Sequence, residues 1–283
     1  MSGYEQLNLG LRLHDAAPGT LAERASVAKA QGFTCCHLAL SKTLGKEYMQ
    51  PGALTPGFAR RVMDDLQGLD TAVLGCYLNL ATPDMEEYRT AVKKYVAHLR
   101  FARWMNAALV GTETGDPNKE YKYDPLTSHT DAALDLFIRR LAPVVEEAEK
   151  LGTIIAIEPV FKHIVSDGRR ARQVLDAIQS PNLGIIFDPV NILHESNLED
   201  AGRIIDEAID LLQDDVLVVH MKDYVLKDDG TMKAVAAGTG RMDYTAIGKF
   251  VAEKKPSVQI TLENTTSDNA EQARRFVEEL VSK

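Results

Sequence analysis

The chain has 283 residues, 45% hydrophobic and 26% charged, the balance of a globular protein able to bury a sizeable core rather than of collagen or a disordered segment. With 32 Lys and Arg against 41 Asp and Glu the formal charge is −9, and no basic cluster offers phosphate contacts, so nucleic acid is an unexpected partner. Small polar substrates stay open.

The opening MSGYEQLNLG lacks the charged start and apolar run of a signal peptide, and no apolar stretch reaches the ~18 residues of a membrane span. From Leu7, LNLGLRLHD reads as a strand, followed by amphipathic TLAERASVAKAQG, whose Gly32 suits a left-handed helix terminus. TCCHLAL, from Thr34, is the second strand. Its Cys35 and Cys36, with the distant Cys76, make neither a disulfide framework nor a CxxC pair, which is the usage of a reducing cytoplasm. TAVLGCYLNL, from Thr71, precedes helix-like DMEEYRTAVKKYVAHLRFARWM, and ALVGTETG, from Ala108, precedes TDAALDLFIRRLAPVVEEAEKLG. TIIAIEPV (from Thr153), LGIIFDPV (from Leu183), VLVVHMKD (from Val216) and VQITLENT (from Val258) complete eight strands, with LEDAGRIIDEAIDLL and NAEQARRFVEELVSK among the helical stretches. Those stretches carry apolar residues at i, i+3, i+4 and i+7, and no Pro/Gly/Ser-rich linker interrupts the alternation.

Parallel strands need crossover connections, and helices must cover the outside of the sheet. Eight strand–helix units of about 35 residues therefore predict a single α/β domain over residues 1–283, a (β/α)8 TIM barrel. A doubly wound sheet is the alternative. It lacks support from a glycine fingerprint, because GTGR at Gly238 follows the seventh strand as a loop and does not join strand to helix.

Function in a barrel collects at the C-terminal strand ends. These carry His14 and Asp15, Ser41 and Lys42, Asn79, Thr112 and Glu113, Glu158, Asp188 and Asn191, His220 with Lys222 and Asp223, and Glu263 with Asn264. Glu158, Asp188, His220 and Glu263 each follow an apolar run, 30, 32 and 43 residues apart, about one strand–helix unit each. Any one of them reads equally well as a strand-end cap; four coordinating residue types on four consecutive strand ends do not. An unpaired buried carboxylate neutralises by shifting its pKa, and a divalent cation removes that penalty. Three carboxylates and an imidazole suit one Mn2+ first, with Mg2+, Co2+ or Zn2+ as alternatives.

IEPV with Glu158, FDPVN with Asp188, VVHMKD with His220 and TLEN with Glu263 resemble the motif set of the sugar phosphate isomerase/epimerase superfamily. These xylose-isomerase-like barrels include ketose 3-epimerases and inosose dehydratases. GLRLHD, HLALSK and NLATPD extend the resemblance over essentially the whole chain. The resemblance implies one divalent ion held by Glu158, Asp188, His220 and Glu263, with Glu158 and Glu263 also the catalytic acid/base pair. It implies a metal-dependent sugar epimerase or isomerase that abstracts a proton beside a carbonyl and stabilises an enediolate. A lyase, such as an inosose dehydratase or a 3-keto-glycoside eliminase, would use the same site, and a non-catalytic sugar-binding or structural barrel is the third reading.

Ketose 3-epimerases place a substrate-gripping His three residues after the metal-binding Asp, where this chain has Asn191, with His194 further on. They also place an Arg soon after the metal-binding His, where this chain has Lys222 and no Arg before Arg241. The usual free-ketose pattern is thus incomplete. Candidate substrate contacts are His14, Glu113, His163, Asn191 and Lys222, and each has a bland counterpart: packing, a surface histidine, or a Lys222–Asp223 pair. Asn79 reads more as structural. Tyr48, Tyr77, Trp104 and Tyr224 are candidates for an apolar wall. GTGR with Arg241 is either a phosphate contact or a turn. The expected partner is a small carbohydrate, and the apolar surface of DMEEYRTAVKKYVAHLRFARWM could serve a homo-oligomer.

Overall fold

The computed structural model describes residues 7–282; the start of the N-terminal reading (1–6) and Lys283 of the last helical stretch lie outside them. Eight strands close into one parallel barrel. They are β1 (Asn8–Arg12), β2 (Cys35–Leu38), β3 (Asp70–Gly75), β4 (Leu109–Glu113), β5 (Ile155–Glu158), β6 (Leu183–Phe187), β7 (Val216–Met221) and, after a hairpin of β8 (Asp223–Leu226) and β9 (Met232–Val235), β10 (Gln259–Leu262). The ring runs β1-β10-β7-β6-β5-β4-β3-β2, and its closure excludes the doubly wound alternative. The fold is a (β/α)8 TIM barrel.

The helices begin where capping chemistry permits. Thr20 and Glu23 form a reciprocal capping box for Leu21–Ala30, and the Asp84 carboxylate accepts from the Glu86 and Glu87 amides to start Met85–Met105. Gly152, at φ 61°, closes Asp131–Leu151 in the left-handed conformation that glycine favours at a helix terminus. Among the described residues no helix is long and apolar enough to cross a membrane.

Two apolar layers result. Most buried side chains pack between barrel and helices. A small separate cluster, including Cys35, Val73, Leu109, Ala156, Ile186 and Val218, comes from strands alone and fills the barrel. Side chains alternate along a strand, so residues two further on point into the same interior. Two past Cys35, Ala156, Ile186 and Val218 come His37, Glu158, Asp188 and His220; four past Leu109 comes Glu113. The apolar floor thus dictates which polar groups stand above it.

Three local departures matter. The first strand ends at Arg12, and Leu13–Ala16 forms a helical turn, so His14 leaves the strand path. Asn79 lies in the loop four residues beyond β3. The hairpin after β7 was not anticipated, although Asp229-Gly230, with Gly230 at φ 80°, is a turn signal between its strands.

Candidate functional site

The C-terminal mouth of the barrel holds a cavity of about 180 Å³ walled by titratable side chains from β1, β2, β4, β5, β7, β10 and the loops that follow them. Larger hollows exist, such as one of about 440 Å³ beside Met85–Met105, but they lack the buried charges gathered here. Glu158, Asp188, His220 and Glu263 are all buried, and their strands are neighbours in the ring. His220 Nδ1 lies 3.1 Å from Glu158 Oε1 and 3.4 Å from Glu263 Oε1. Ligand-type atoms of Glu158, Asp188 and His220 fall within 4.8 Å of one another, and so do those of His37, His220 and Glu263. His220 joins the two triads.

Asp188 is held by its backbone setting: Oδ1 accepts from the amides of Val190 (2.9 Å) and Asn191 (3.2 Å). Asn191 Nδ2 donates to Glu158 Oε1 at 2.7 Å, so the side chain three residues after the aspartate braces a carboxylate. Lys222 does not pair with Asp223. Its Nζ lies 2.9 Å from Asp188 Oδ2 and 2.8 Å from Glu263 Oε2, bridging two strand ends. Arg12 adds a second cation, 3.3 Å from Glu263 Oε2 while bound to Asp15 at 2.6 Å.

These neighbours make the two glutamates unequal. Burial pushes the Glu158 carboxyl above its ordinary range, and the pull of His220 only partly offsets it. Burial acts on Glu263 in the same direction, but Lys222, His220 and Arg12 outweigh it and hold the carboxyl well below its usual range. Burial likewise raises Asp188 against the pull of Lys222. The Lys222 ammonium is lowered by burial and raised more strongly by Asp188 and Glu263, so it stays charged.

The donor set fits a divalent cation. Three carboxylates meet one internal ammonium and a guanidinium already shared with Asp15, leaving negative charge in excess. His220 Nε2 is buried without a hydrogen-bond partner among the described residues, which is costly unless another group satisfies it.

Of the other candidates, Glu113 and His14 line the cavity, while His163 sits behind Glu113. Burial lowers the His14 imidazole to about 4. Among the four aromatics only Tyr77 reaches the cavity, its hydroxyl 3.0 Å from His37 Nε2. Tyr48 stacks on Phe58, Trp104 is exposed, and Tyr224 belongs to the hairpin. Asn79 stitches loops, donating to the Asp116 carbonyl at 2.8 Å and accepting from the Ala81 amide at 3.0 Å. GTGR is a turn: the Gly240 and Met242 amides donate to the Asp223 carboxylate at 2.8 and 2.9 Å, and Arg241 N to Tyr224 O at 2.9 Å. A phosphate would find those donors occupied.

Sequence reading missed Arg12 and His37 as cavity walls, and Lys42, which it named only as a strand-end residue, lines the cavity as well. His37 ring-stacks on His220 at 5.3 Å between centroids. It was hidden inside an apolar run, where an isolated histidine reads as core; its offset of two from Cys35 was the available signal.

No protein of curated function matches the chain by sequence. Solved structures match over nearly its whole length. A 3-keto-D-glucoside 4-epimerase from E. coli is 14% identical, with 97% of this chain and 100% of that one covered at a TM-score of 0.73. A D-psicose 3-epimerase from Clostridium cellulolyticum, solved with D-tagatose, is 14% identical, with 97% and 99% covered at 0.73. A protein named IOLI, solved with a bound zinc atom, is 14% identical, with 97% and 98% covered at 0.72. At such identities the likeness carries the fold. The model of the xylose isomerase-like TIM barrel family matches residues 25–280, and the chain belongs to that family.

Proposed function

We propose that this barrel is a divalent-metal-dependent sugar epimerase or isomerase. The observation that carries the reading is the convergence of Glu158, Asp188, His220 and Glu263, all buried, at one mouth of the barrel. These four would hold the ion, with Mn2+ the first candidate for an oxygen-rich set with one imidazole. When bound, the ion supplies Lewis-acid chemistry, polarising a substrate carbonyl and stabilising the negative charge that grows on it as a neighbouring C–H proton leaves. The names of the structural neighbours, two sugar epimerases and a zinc-bearing protein, agree with this class of substrate and cofactor.

The chain's own residues divide the remaining work. Glu158 and Glu263, on β5 and after β10, stand apart in the ring and present two carboxylates that can remove and return a proton. Asn191 orients Glu158, while Lys222 and Arg12 orient Glu263. The cavity, about 180 Å³, suits a small carbohydrate, and His14, Glu113 and Tyr77 line its walls. His163 would act on substrate through Glu113.

A second reading uses the same base for elimination beside the carbonyl of a cyclic keto sugar. The occupation of the epimerase histidine position by Asn191, which is bonded to Glu158 instead of being free to hold a ketose, favours it. Incubation with Mn2+ in D2O against ketoses, 3-keto sugars and inososes tests both. Carbon-bound deuterium in a product of equal mass, allowing for the label, supports epimerisation or isomerisation; loss of water or aglycone supports elimination. Absence of both across the panel sinks the catalytic reading.

A further inference from the structure

A chain of ionisable groups runs outward from the barrel beside the proposed metal ligands. Asp116, in the loop after β4, is fully buried; its Oδ1 accepts from Ser128 Oγ at 2.6 Å and its Oδ2 lies 3.2 Å from His163 Nδ1. His163 Nε2 lies 3.1 Å from Glu113 Oε2. The Tyr121 ring covers the imidazole at 5.6 Å between centroids, and the loop bearing His163 is pinned to the β4 loop by Ile164 N to Gly115 O (3.0 Å) and Val165 N to Thr114 Oγ1 (2.9 Å). An imidazole with a carboxylate on each nitrogen donates from both, so Asp116 fixes the ring and the ring fixes Glu113.

Glu113 ends this chain in the cavity wall, its side chain one-third exposed. Its Oε1 has no hydrogen-bond partner among the described residues. β4 and β5 pair with Glu113 opposite Glu158, so the two residues stand side by side on neighbouring strands, about 4.8 Å apart in the backbone. A substrate reacting at Glu158 therefore has Glu113 beside it in the same cavity wall. A fixed carboxylate there accepts charge-assisted hydrogen bonds from hydroxyls and repels a phosphate or carboxylate.

We infer that Glu113 is a specificity-determining residue that grips substrate hydroxyls beyond the reacting carbons, with Asp116 and His163 as its positioning residues. The substrate class is a polyhydroxy carbonyl compound whose remote end is uncharged. This rests on the epimerase reading of the cavity.

The test compares D-2-ketohexoses with dihydroxyacetone, which has the α-hydroxy ketone but no remote hydroxyl. Solvent-deuterium exchange is measured on the Mn2+-loaded chain for wild type, Glu113→Gln and Asp116→Asn. The ratio of kcat/KM for ketohexose to that for dihydroxyacetone should fall at least tenfold in both variants, through KM, because a site built to bind a hydroxyl discriminates against its absence. The ratio cancels any general loss of folding or metal. An unchanged ratio, or a fall carried by kcat alone, overturns the grip. If wild type exchanges neither probe, the free-ketose form of the epimerase reading fails, and 15N NMR decides the grip separately. Added D-fructose must then shift the His163 resonances in wild type and leave them in Glu113→Gln; no shift in wild type overturns it.

Discussion

Lys222 carries an unusual share of the site's electrostatics. Its buried ammonium compensates Asp188 and Glu263 at once. In Lys222→Met, a change of similar volume, both carboxylates remain buried without that partner, and breaking such a pair costs about 3–5 kcal/mol. A divalent cation can take over the compensation. Urea unfolding in chelator should show a loss of this order, and saturating Mn2+ should recover more stability in Lys222→Met than in wild type; equal gains would show that the ammonium and the ion do not share a field. The glutamates are the other test at this scale. Glu158→Gln and Glu263→Gln remove a proton acceptor while keeping the shape, so each should lower deuterium exchange by about 10²–10⁴-fold. Retained exchange in either variant would remove that residue from the proton path.

The β4 strand and the loop after it form an element with its own pH response. The His163 imidazole is lowered by burial and raised more strongly by its hydrogen bonds to Asp116 and Glu113, to about 9. The unfolded chain holds that proton only below about 6.5. Between these values the folded state binds more protons, so stability falls as pH rises; the full contribution, up to about 3 kcal/mol, is present below pH about 6.5 and is lost through about 9. Asp116→Asn should flatten this slope in urea titrations at successive pH values. Sequence reading found Glu113 and His163 separately, one on a strand end and one five residues past Glu158, but not their contact. Asp116 was invisible because its role depends on loop geometry, as is that of Asp223, whose carboxylate accepts three backbone amides, from Tyr224, Gly240 and Met242.

At the scale of the molecule, the eight strands were legible because each is a short apolar run between amphipathic helices, and a parallel sheet buried on both faces demands that pattern. The quartet was legible because each member follows such a run. His37 and Arg12 were not, since their chemistry follows from strand parity and barrel closure; only once β1 pairs with β10 does Arg12 approach Glu263. Closure also predicts how a metal would act on the whole fold. The proposed ligands come from β5, β6, β7 and β10, one contiguous arc of the ring, while β2, β3 and β4 contribute none. Binding the folded state at a hundred times Kd adds about 2.7 kcal/mol to global stability, so chelation should lower Tm. Local openings offer a sharper reading, because the ion clamps only the strands it bridges. Hydrogen exchange in Mn2+ and in chelator should therefore differ most in peptides covering Ile155–Glu158, Leu183–Phe187, Val216–Met221 and Gln259–Leu262. The strands Cys35–Leu38 and Asp70–Gly75, across the ring, should change least. A uniform change would mean that the ion, if bound, acts on the molecule without bridging that arc.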